Sequence, residues 1–382
     1  MNRSKPKIIY IWNIPCTEKI ERDYFIKDLI SKNYQVEYWD LSCLLFKYDD
    51  FVYKIKRNYI RKIKSYEELK SLLSQQDNLN TLYMIIYRPL RLYRMLSKFN
   101  VKLLYFERGC LPQLSNRSLI SKIRQKTVSL FNIEKISGFF SQKTTAILKR
   151  IKMLKEIDIV FAAGEVGENM HRDTSMVVPV NFFDYDEYVK VKSEDRCLVN
   201  GRYCVYLDDN IVDDPDFVIF RVKTVKADAY YNALNRFFKY IEDIYKVKVV
   251  IAAHPKAVYE RNPFDGREIY RFETCTLAKG CEFALAHFST SVSFPVLFKK
   301  PVIFMYTSEM KKMAYFKTIN SFAEALNQSV VNIDLVDPEK FDFKKVDIGK
   351  YEEYRLKYIT SLGPDAKNSR DIFLKFIESL SS

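Results

Sequence analysis

The hydrophobic pattern of the chain predicts short buried strands that alternate with amphipathic helices. The first strand candidates are continuous apolar runs at residues 7–12, 35–41, 81–87, 101–106 and 157–163. Such runs are typical of parallel strands that are covered on both faces. Helical spacing separates them, as at residues 17–32, where Thr17 is placed to cap the helix. The first part of the chain therefore predicts an α/β domain.

A second series of the same kind follows residue 200. Its strand candidates lie at residues 203–207, 248–253, 283–287 and 301–306, with a long amphipathic helix at 227–245. Residues 181–201 lose the apolar periodicity, which predicts a linker helix and a hinge. We expect domains at residues 1–190 and 200–348 that enclose a cleft, and C-terminal helices at 349–382 that pack back on the first domain.

Composition limits how this chain could bind a phosphate. The 382 residues are enough for two domains of ordinary size. They include only 9 glycines, and the sequence has neither a Rossmann glycine fingerprint nor a P-loop. A phosphate site must therefore be built from side chains and helix ends.

The formal net charge of +14 favours an anionic partner, which could be a small substrate, a lipid surface or a nucleic acid. Basic residues interleaved with apolar ones concentrate at residues 47–70 and 117–155. Such segments fit the surface of an anionic membrane. A solvated basic helix face is the alternative interpretation.

Cysteine and histidine usage bears on redox state and metal binding. The seven cysteines are odd in number and show no CxxC spacing, which favours reduced thiols. The three histidines are too dispersed for a zinc site, and His171 and His287 are interpreted as structural. Neither a secretory segment nor a membrane-spanning apolar run is present. We expect a cytoplasmic protein without a metal.

The end of one predicted strand carries residues suited to a phosphate. The apolar run at 248–253 stops at His254 and Pro255, and proline has no N–H with which to continue a strand. The imidazole is thereby placed on a loop, where it can donate a hydrogen bond to a phosphate oxygen, and Lys256 adds a positive charge. A histidine that only caps the loop is the alternative.

A second strand end leads into Ser289, Thr290 and Ser291 and then into a short apolar helix with Pro295 in its first turn. We expect the N-cap between Ser291 and Ser293. The N–H groups and positive dipole end of the helix, with the three hydroxyls, form an anion site. Capping alone would explain these residues, but a second such strand end beside His254 favours phosphate binding.

Glu107 is a candidate catalytic base in the first domain. It ends the strand at 101–106, at the edge where open α/β sheets bind ligands. Its carboxylate could activate an acceptor hydroxyl, or the neighbouring Arg108 could hold it in a salt bridge. Arg108 and the following Gly109 are possible cleft residues.

Four aspartates raise the question of a divalent metal. Asp208 and Asp209 follow the strand at 203–207, and Asp214 and Asp216 flank Pro215. Aspartates in such positions are ordinary turn and cap residues, and we favour that interpretation. Asp208 stays a possible cleft residue because of its place at a strand end.

These residues resemble bacterial GT-B glycosyltransferases with an HP motif, a group that includes capsule-type Kdo transferases and the sialyl- and polysialyltransferases that use CMP-activated sugars. The likeness covers most of the second domain. It rests on Tyr206-Leu-Asp-Asp, Tyr230-Tyr-Asn-Ala-Leu, Ala253-His254-Pro255-Lys256, Thr274-Cys-Thr-Leu and the run from Ser289 to Pro301. In the first domain, Glu107-Arg108-Gly109 is similar to the acidic-x-Gly motif, although Arg108 stands where the family often has a second acidic residue.

The resemblance implies the GT-B fold, in which two Rossmann-like domains face a central cleft, the first binding the acceptor and the second the nucleotide sugar. It implies that His254, Ser289, Thr290 and Ser291 bind the nucleotide phosphate and that Glu107 supplies the catalytic carboxylate. The expected activity is metal-independent transfer of a sugar, with a CMP-activated nonulosonate or Kdo as the leading donor. The expected acceptor is a glycan or lipid-linked glycan of capsule or lipopolysaccharide O-antigen assembly, reached at the inner membrane face.

Two further interpretations stay open. The HP motif is shared by CDP-glycerol-type transferases, so a UDP- or GDP-sugar transferase or a CDP-polyol phosphotransferase would use the same pocket. A basic nucleic-acid-binding protein would exploit the net charge, but the sequence has no recognition motif, and we expect no nucleic acid partner.

Overall fold

The chain forms two compact units. Unit 1 contains Met1–Arg108, Asn116–Val180 and Gly363–Ser382, and unit 2 contains Gly109–Ser115 and Asn181–Leu362. The computed structural model describes residues 5–46, 55–86, 89–113, 154–173, 175–213, 223–313, 315–335, 345–363 and 367–380. Most of the basic segment at 117–155, part of the one at 47–70, and Asp214 and Asp216 lie outside the described residues.

Unit 1 is built on a seven-stranded parallel sheet. Its strands are β1 (Lys7–Trp12), β2 (Val36–Asp40), β3 (Ile60–Lys62), β4 (Thr81–Ile85), β5 (Lys102–Glu107), β6 (Ile159–Ala163) and β7 (Met176–Val180). They lie in the order β3-β2-β1-β4-β5-β6-β7, and neighbouring strands are parallel. The order reverses between β1 and β4, as in a doubly wound Rossmann-like sheet.

The helices of unit 1 connect these strands. They are α1 (Glu18–Asp23), α2 (Ile26–Ser31), α3 (Ser42–Phe46), α4 (Tyr66–Ser74), α5 (Leu90–Lys98) and α6 (Gly164–His171). Thr17 caps α1 as predicted, with its hydroxyl accepting a hydrogen bond from the N–H of Ile20. The single helix expected over residues 17–32 is wrong, because Phe25 adopts φ 59° and a left-handed residue interrupts an α-helix.

Unit 2 repeats the same topology with six parallel strands. They are β8 (Tyr203–Leu207), β9 (Lys248–Ala253), β10 (Ile269–Arg271), β11 (Ala284–Ala286), β12 (Val302–Tyr306) and β13 (Val330–Asn332). The order is β10-β9-β8-β11-β12-β13, and it reverses between β8 and β11. Two Rossmann-like units therefore follow one another along the chain, as the alternating pattern predicts.

The helices of unit 2 cover both faces of its sheet, as its strands require for burial. They are α7 (Phe183–Lys192), α8 (Ala227–Tyr245), α9 (Thr274–Gly280), α10 (Ser293–Leu297), α11 (Phe316–Leu326) and α12 (Ile348–Tyr354). The predicted apolar stripe of α8 is buried, with Tyr230, Leu234 and Phe238 in the core. Among the helices in the described ranges, none is long and apolar enough to cross a membrane.

The C-terminal helices are divided between the units, which moves the expected boundary at 349. Helix α12 places Tyr351 and Tyr354 in the core of unit 2. Only the last helix, α13 (Ser369–Ser379), belongs to unit 1, because Phe373 is buried there. The first boundary also moves, from about 190 to 181, since Tyr185 of α7 lies in the core of unit 2.

Replacing Phe373 with alanine should destabilise unit 1. The Phe373 ring lies 5.4 Å from the rings of Phe25 and Phe106 and 5.0 Å from that of Phe161. Deleting so large a buried side chain should lower the free energy of unfolding by about 3 to 5 kcal/mol. Urea unfolding followed by tryptophan fluorescence is the measurement, because both tryptophans of the chain, Trp12 and Trp39, lie in unit 1.

The exposed Lys375 of the same helix provides the control, and Lys375→Ala should change the midpoint little. Equal midpoints for the two variants would show that α13 does not complete the core of unit 1.

Candidate functional site

Polar side chains gather where three neighbouring strands of unit 2 end. Strand β8 is followed by Asp208, β9 by His254 and β11 by His287. The strands are parallel, so their carboxyl ends meet at one edge, with β9 and β11 on either side of β8 and about 10 Å apart. The strand order reverses between β8 and β11, and such a switch point is where doubly wound sheets bind ligands.

The loop after β9 presents the imidazole of His254. The Nδ1 atom of His254 accepts a hydrogen bond from the N–H of Lys256 at 3.3 Å, and its carbonyl accepts one from Ala257 at 2.9 Å. We infer from the first contact that the neutral ring carries its proton on Nε2. Nε2–H is then a hydrogen-bond donor, and Lys256 adds a positive charge two residues away. Pro255 between them is exposed.

The loop after β11 holds the predicted hydroxyl cluster. Ser289 caps a 3₁₀ turn, Thr290–Val292, and its Oγ accepts a hydrogen bond from the N–H of Ser291 at 3.4 Å. Ser289 caps only this turn. The N-cap of the following helix α10 (Ser293–Leu297) is Val292, within the predicted interval from Ser291 to Ser293, and it makes no side-chain cap hydrogen bond. Helix α10 follows with only five residues. Because so few peptide dipoles are aligned, its dipole contributes less than predicted, and the N–H groups and hydroxyls must carry more of any anion binding.

Two consecutive aspartates follow β8, and each contacts a different loop. Asp208 is 5% exposed; its Oδ2 accepts hydrogen bonds from the N–H of His254 at 3.4 Å and from the hydroxyl of Tyr259 at 2.5 Å. Asp209 is 8% exposed, and its Oδ2 accepts one from the N–H of Phe288 at 3.1 Å. Burial raises the pKa of Asp208, while the hydrogen bond from Tyr259 opposes that rise.

The turn predicted for this segment is present. The N–H of Asn210 donates to Asp208 Oδ1 at 3.1 Å, and Asn210 adopts φ 50°. The Nδ2 of Asn210 is buried and, within the described ranges, finds no hydrogen-bond partner. The same ranges contain no group of three or more His, Cys, Asp or Glu side chains placed to hold a metal ion.

A directional hydrogen-bond chain starts at His287, the residue that follows β11. His287 Nδ1 lies 2.5 Å from the carbonyl oxygen of Met305, which can only accept, so Nδ1 carries the proton. Nε2 then accepts from the hydroxyl of Tyr230 at 2.9 Å, and the Tyr230 oxygen accepts from the hydroxyl of Tyr206 at 2.8 Å. Burial lowers the pKa of His287 to about 4, so the ring is neutral near pH 7. These contacts agree with a structural role.

Glu107 ends β5 in unit 1, one strand beyond the switch point of that sheet. Its Oε2 lies 3.1 Å from Nε2 of His171, the last residue of α6, and its side chain is 18% exposed. Gly167 of the same helix packs against it, since a Cβ at Gly167 would lie 3.4 Å from Glu107 Cγ. Helix α6 therefore holds this carboxylate against one face of the sheet.

Arg108 forms hydrogen bonds with residues other than Glu107. Its guanidinium donates to the carbonyl of Asp23 at 3.1 Å and to the hydroxyl of Ser369 at 3.3 Å. The residue that contacts the Glu107 carboxylate is His171, for which the sequence predicts a structural role. Gly109 is exposed and belongs to unit 2.

A separate cavity of about 300 Å³ lies in unit 2. It is lined by residues of α11, of α12 and the turn that follows it, and by Pro112 and Gln113. Among its charged residues, Glu353 contacts both Lys350 and Lys357. None of the predicted site residues lines this cavity.

Comparisons with known proteins identify the fold. No protein-family model matches the chain, and no curated protein matches it in sequence. Among solved structures, the chain is similar to Os79 from O. sativa in complex with UDP, with a TM-score of 0.50 and 10% identity over 98% of this chain and 99% of that one.

Two other solved structures resemble the chain less closely. The calicheamicin glycosyltransferase CalG4 gives a TM-score of 0.49 and 8% identity over 88% of both chains. The H444N variant of the wall teichoic acid polymerase TagF gives 0.48 and 10% identity over 100% of this chain and 90% of that one. The likeness to Os79 and the two Rossmann-like sheets define a GT-B fold, which confirms the predicted fold class.

Unit 2 should lose stability as the pH falls from about 6.5 to about 4, in part because of His287. In this pH range the unfolded state binds a proton at His287 and the folded state does not. The contribution of the neutral His287 to the free energy of unfolding is therefore present above pH 6.5 and is lost on acidification. Its size is about 3 kcal/mol for a pKa lowered from 6.5 to about 4. Unfolding free energies from circular dichroism across this range test the expectation.

His287→Gln is the matched variant, since its amide can donate to Met305 and accept from Tyr230. Its stability should fall less steeply with acid than that of the wild type. Parallel pH profiles for the two proteins would contradict the assignment of a buried neutral His287.

Proposed function

We propose that this protein is a glycosyltransferase that uses a nucleotide sugar, and that unit 2 binds the donor phosphate. One observation carries the proposal: the His254 and Ser289 loops follow the two strands that flank β8, at the sheet edge where the strand order reverses. Ligands of such sheets bind at this edge. The loops supply an imidazole N–H, a lysine and three hydroxyls there, all suited to a phosphate oxygen.

The chemistry proposed for these groups is stabilisation of the leaving phosphate. When the bond between the anomeric carbon and the phosphate oxygen breaks, negative charge grows on that oxygen. Donors fixed by the protein before the reaction stabilise that charge more than water does, as in an oxyanion hole. We assign this role to the Nε2–H of His254, the ammonium of Lys256 and the loop at residues 289–291. Pro255 limits the freedom of the His254 backbone.

Acceptor activation is assigned to Glu107. A general base takes the proton of the attacking hydroxyl, and a carboxylate can do so if its oxygen is held in place. The contact between Glu107 Oε2 and His171 Nε2, at 3.1 Å, provides that support. His171 enters the proposal as the residue that orients the base.

For the donor we propose a CMP-activated nonulosonate or Kdo-type sugar, on the strength of the HP motif and its neighbouring residues. The proposed acceptor is a glycan or lipid-linked glycan of a surface polysaccharide, capsule or O-antigen. The net charge of +14 supports an anionic acceptor or a peripheral position at the cytoplasmic face of the membrane. The proposed reaction needs no metal cofactor. UDP- and GDP-sugars and CDP-polyols are the competing donors.

A screen of nucleotides tests which nucleobase the donor carries. Any ligand that binds only the folded state raises the melting temperature, so CMP, CDP, UDP and GDP can be compared in one thermal-shift series. The proposal expects the largest shift with CMP. A larger shift with UDP or GDP would redirect the donor assignment, and no shift with any of the four would contradict the nucleotide site.

Replacing His254 with alanine should impair transfer strongly. Loss of one fixed donor to the leaving phosphate costs about 2 to 4 kcal/mol of transition-state stabilisation, or roughly 30- to 1000-fold in turnover of the sugar nucleotide. Turnover measured with the donor selected by the screen tests this expectation. A reduction of less than about threefold would refute the assignment.

Glu107→Gln in unit 1 is the matched comparison. It should retain the thermal shift produced by the nucleotide and still lose transfer, whereas His254→Ala should reduce both. If Glu107→Gln kept full transfer activity, the base would have to be another residue.

A further inference from the structure

A dipeptide at the end of β8 reaches the first residues of both candidate phosphate loops. Asp208 accepts a hydrogen bond from the backbone N–H of His254, and Asp209 accepts one from the backbone N–H of Phe288. Successive side chains of an extended segment point in opposite directions, so two consecutive carboxylates can serve two different loops. Strand β8 lies between β9 and β11 in the sheet. The two residues that follow β8 are therefore placed to contact the loops after both neighbouring strands.

The carboxylate of Asp208 accepts hydrogen bonds from groups of the protein itself. Its two oxygens accept hydrogen bonds from three groups: the N–H of Asn210, the N–H of His254 and the hydroxyl of Tyr259. A carboxylate beside an anion site would repel the anion unless donors neutralise it. Three internal donors do so here, and they also fix the orientation of the carboxylate.

Tyr259, which hydrogen-bonds to Asp208, is itself held in place by contacts with the core. These contacts help to fix the orientation of the Asp208 carboxylate. Its ring packs edge-on against buried Phe264 at 5.5 Å, and the guanidinium of Arg271 lies 5.7 Å from the ring centroid. The hydroxyl then points at Asp208 Oδ2 at 2.5 Å. A path of contacts therefore runs from Phe264 through Tyr259 and Asp208 to the backbone of His254.

We propose that Asp208 and Asp209 are positioning residues that set the two phosphate loops relative to each other, with Tyr259 fixing Asp208. The inference rests on the proposed function, since it concerns the loops that bind the donor phosphate. Asp208 and Tyr259 act through His254, whereas Asp209 acts through Phe288 and the loop at residues 289–291. Small displacements of positioned groups cost much more in rate and affinity than in fold stability.

Tyr259→Phe tests the inference because it removes one hydroxyl and keeps the ring. Nucleotide dissociation constants are measured by calorimetry with CMP, CDP, UDP and GDP in the wild type and in His254→Ala. In the wild-type background Tyr259→Phe should weaken binding of the preferred nucleotide about tenfold, the low end of what loss of one hydrogen bond to a charged group costs. In the His254→Ala background its effect should be clearly smaller, because the imidazole that this path positions is gone and only Lys256 of the loop still binds the phosphate.

Tyr231→Phe is the matched control. The Tyr231 ring packs on the same Phe264 ring at 5.6 Å, and within the described residues its hydroxyl makes no hydrogen bond to Asp208. Its affinity for the nucleotide should equal that of the wild type. If Tyr259→Phe behaves like Tyr231→Phe, or weakens binding equally in both backgrounds, Tyr259 and Asp208 have only a structural role.

Asp209→Asn tests the second part of the inference, the contact of Asp209 with Phe288 and the loop at residues 289–291. It should weaken nucleotide binding in the wild-type background and to a similar extent in His254→Ala, since it acts on a separate loop. Loss of this effect in His254→Ala would contradict the inference that Asp208 and Asp209 position separate loops.

The outcomes separate this inference from the proposed function. If none of the four nucleotides binds the wild type, the proposed function fails and the inference fails with it. If a nucleotide binds, His254→Ala weakens it and neither Tyr259→Phe nor Asp209→Asn does, only the inference fails.

Discussion

The candidate site depends on one constraint, which is that all strands of a parallel sheet end at the same edge. In unit 2 this constraint places the residues after β8, β9 and β11 next to one another, although they are far apart in sequence. The hydrogen bonds of Asp208 and Asp209 then join the loops that follow β9 and β11 to the central strand. The loops are therefore placed by the core of the sheet as well as by their own residues.

This arrangement explains how a chain with 9 glycines can offer a phosphate site. A glycine-rich loop binds phosphate through closely approaching backbone N–H groups. Here imidazole, ammonium and hydroxyl groups take over that role in the proposed site, and such side chains need support from behind. The buried chain from Tyr206 through Tyr230 to His287 and the contacts of Asp208 provide it.

The central strands of both sheets could be predicted from sequence, and the edge strands could not. Buried runs such as β1 and β8 coincide with their predicted bounds because their residues, apart from Lys7, are buried and apolar. Strands β3, β7, β10 and β13 are the four sheet edges, and most of their residues are only partly buried. Strands β3, β10 and β13 have three residues each and include a polar one, so they show no continuous apolar run. Strand β7 is apolar, but it contains Pro179, which argues against a strand in the sequence.

The loop positions of His254 and Ser289 were likewise visible in sequence, because each follows an apolar run. The partners of site residues were not, since Glu107 and His171 are 64 residues apart, and Asp209 and Phe288 are 79 apart. Contacts of that range leave no local signal in the sequence.

Hydrogen exchange measured with and without the preferred nucleotide tests the central claim most directly. If unit 2 binds the donor phosphate as proposed, the amides of residues 254, 256 and 257 and of residues 288–293 should exchange more slowly when the nucleotide is present. Protection confined to other segments, such as the residues of α11 and α12 that line the separate cavity, with none at these two loops, would contradict it.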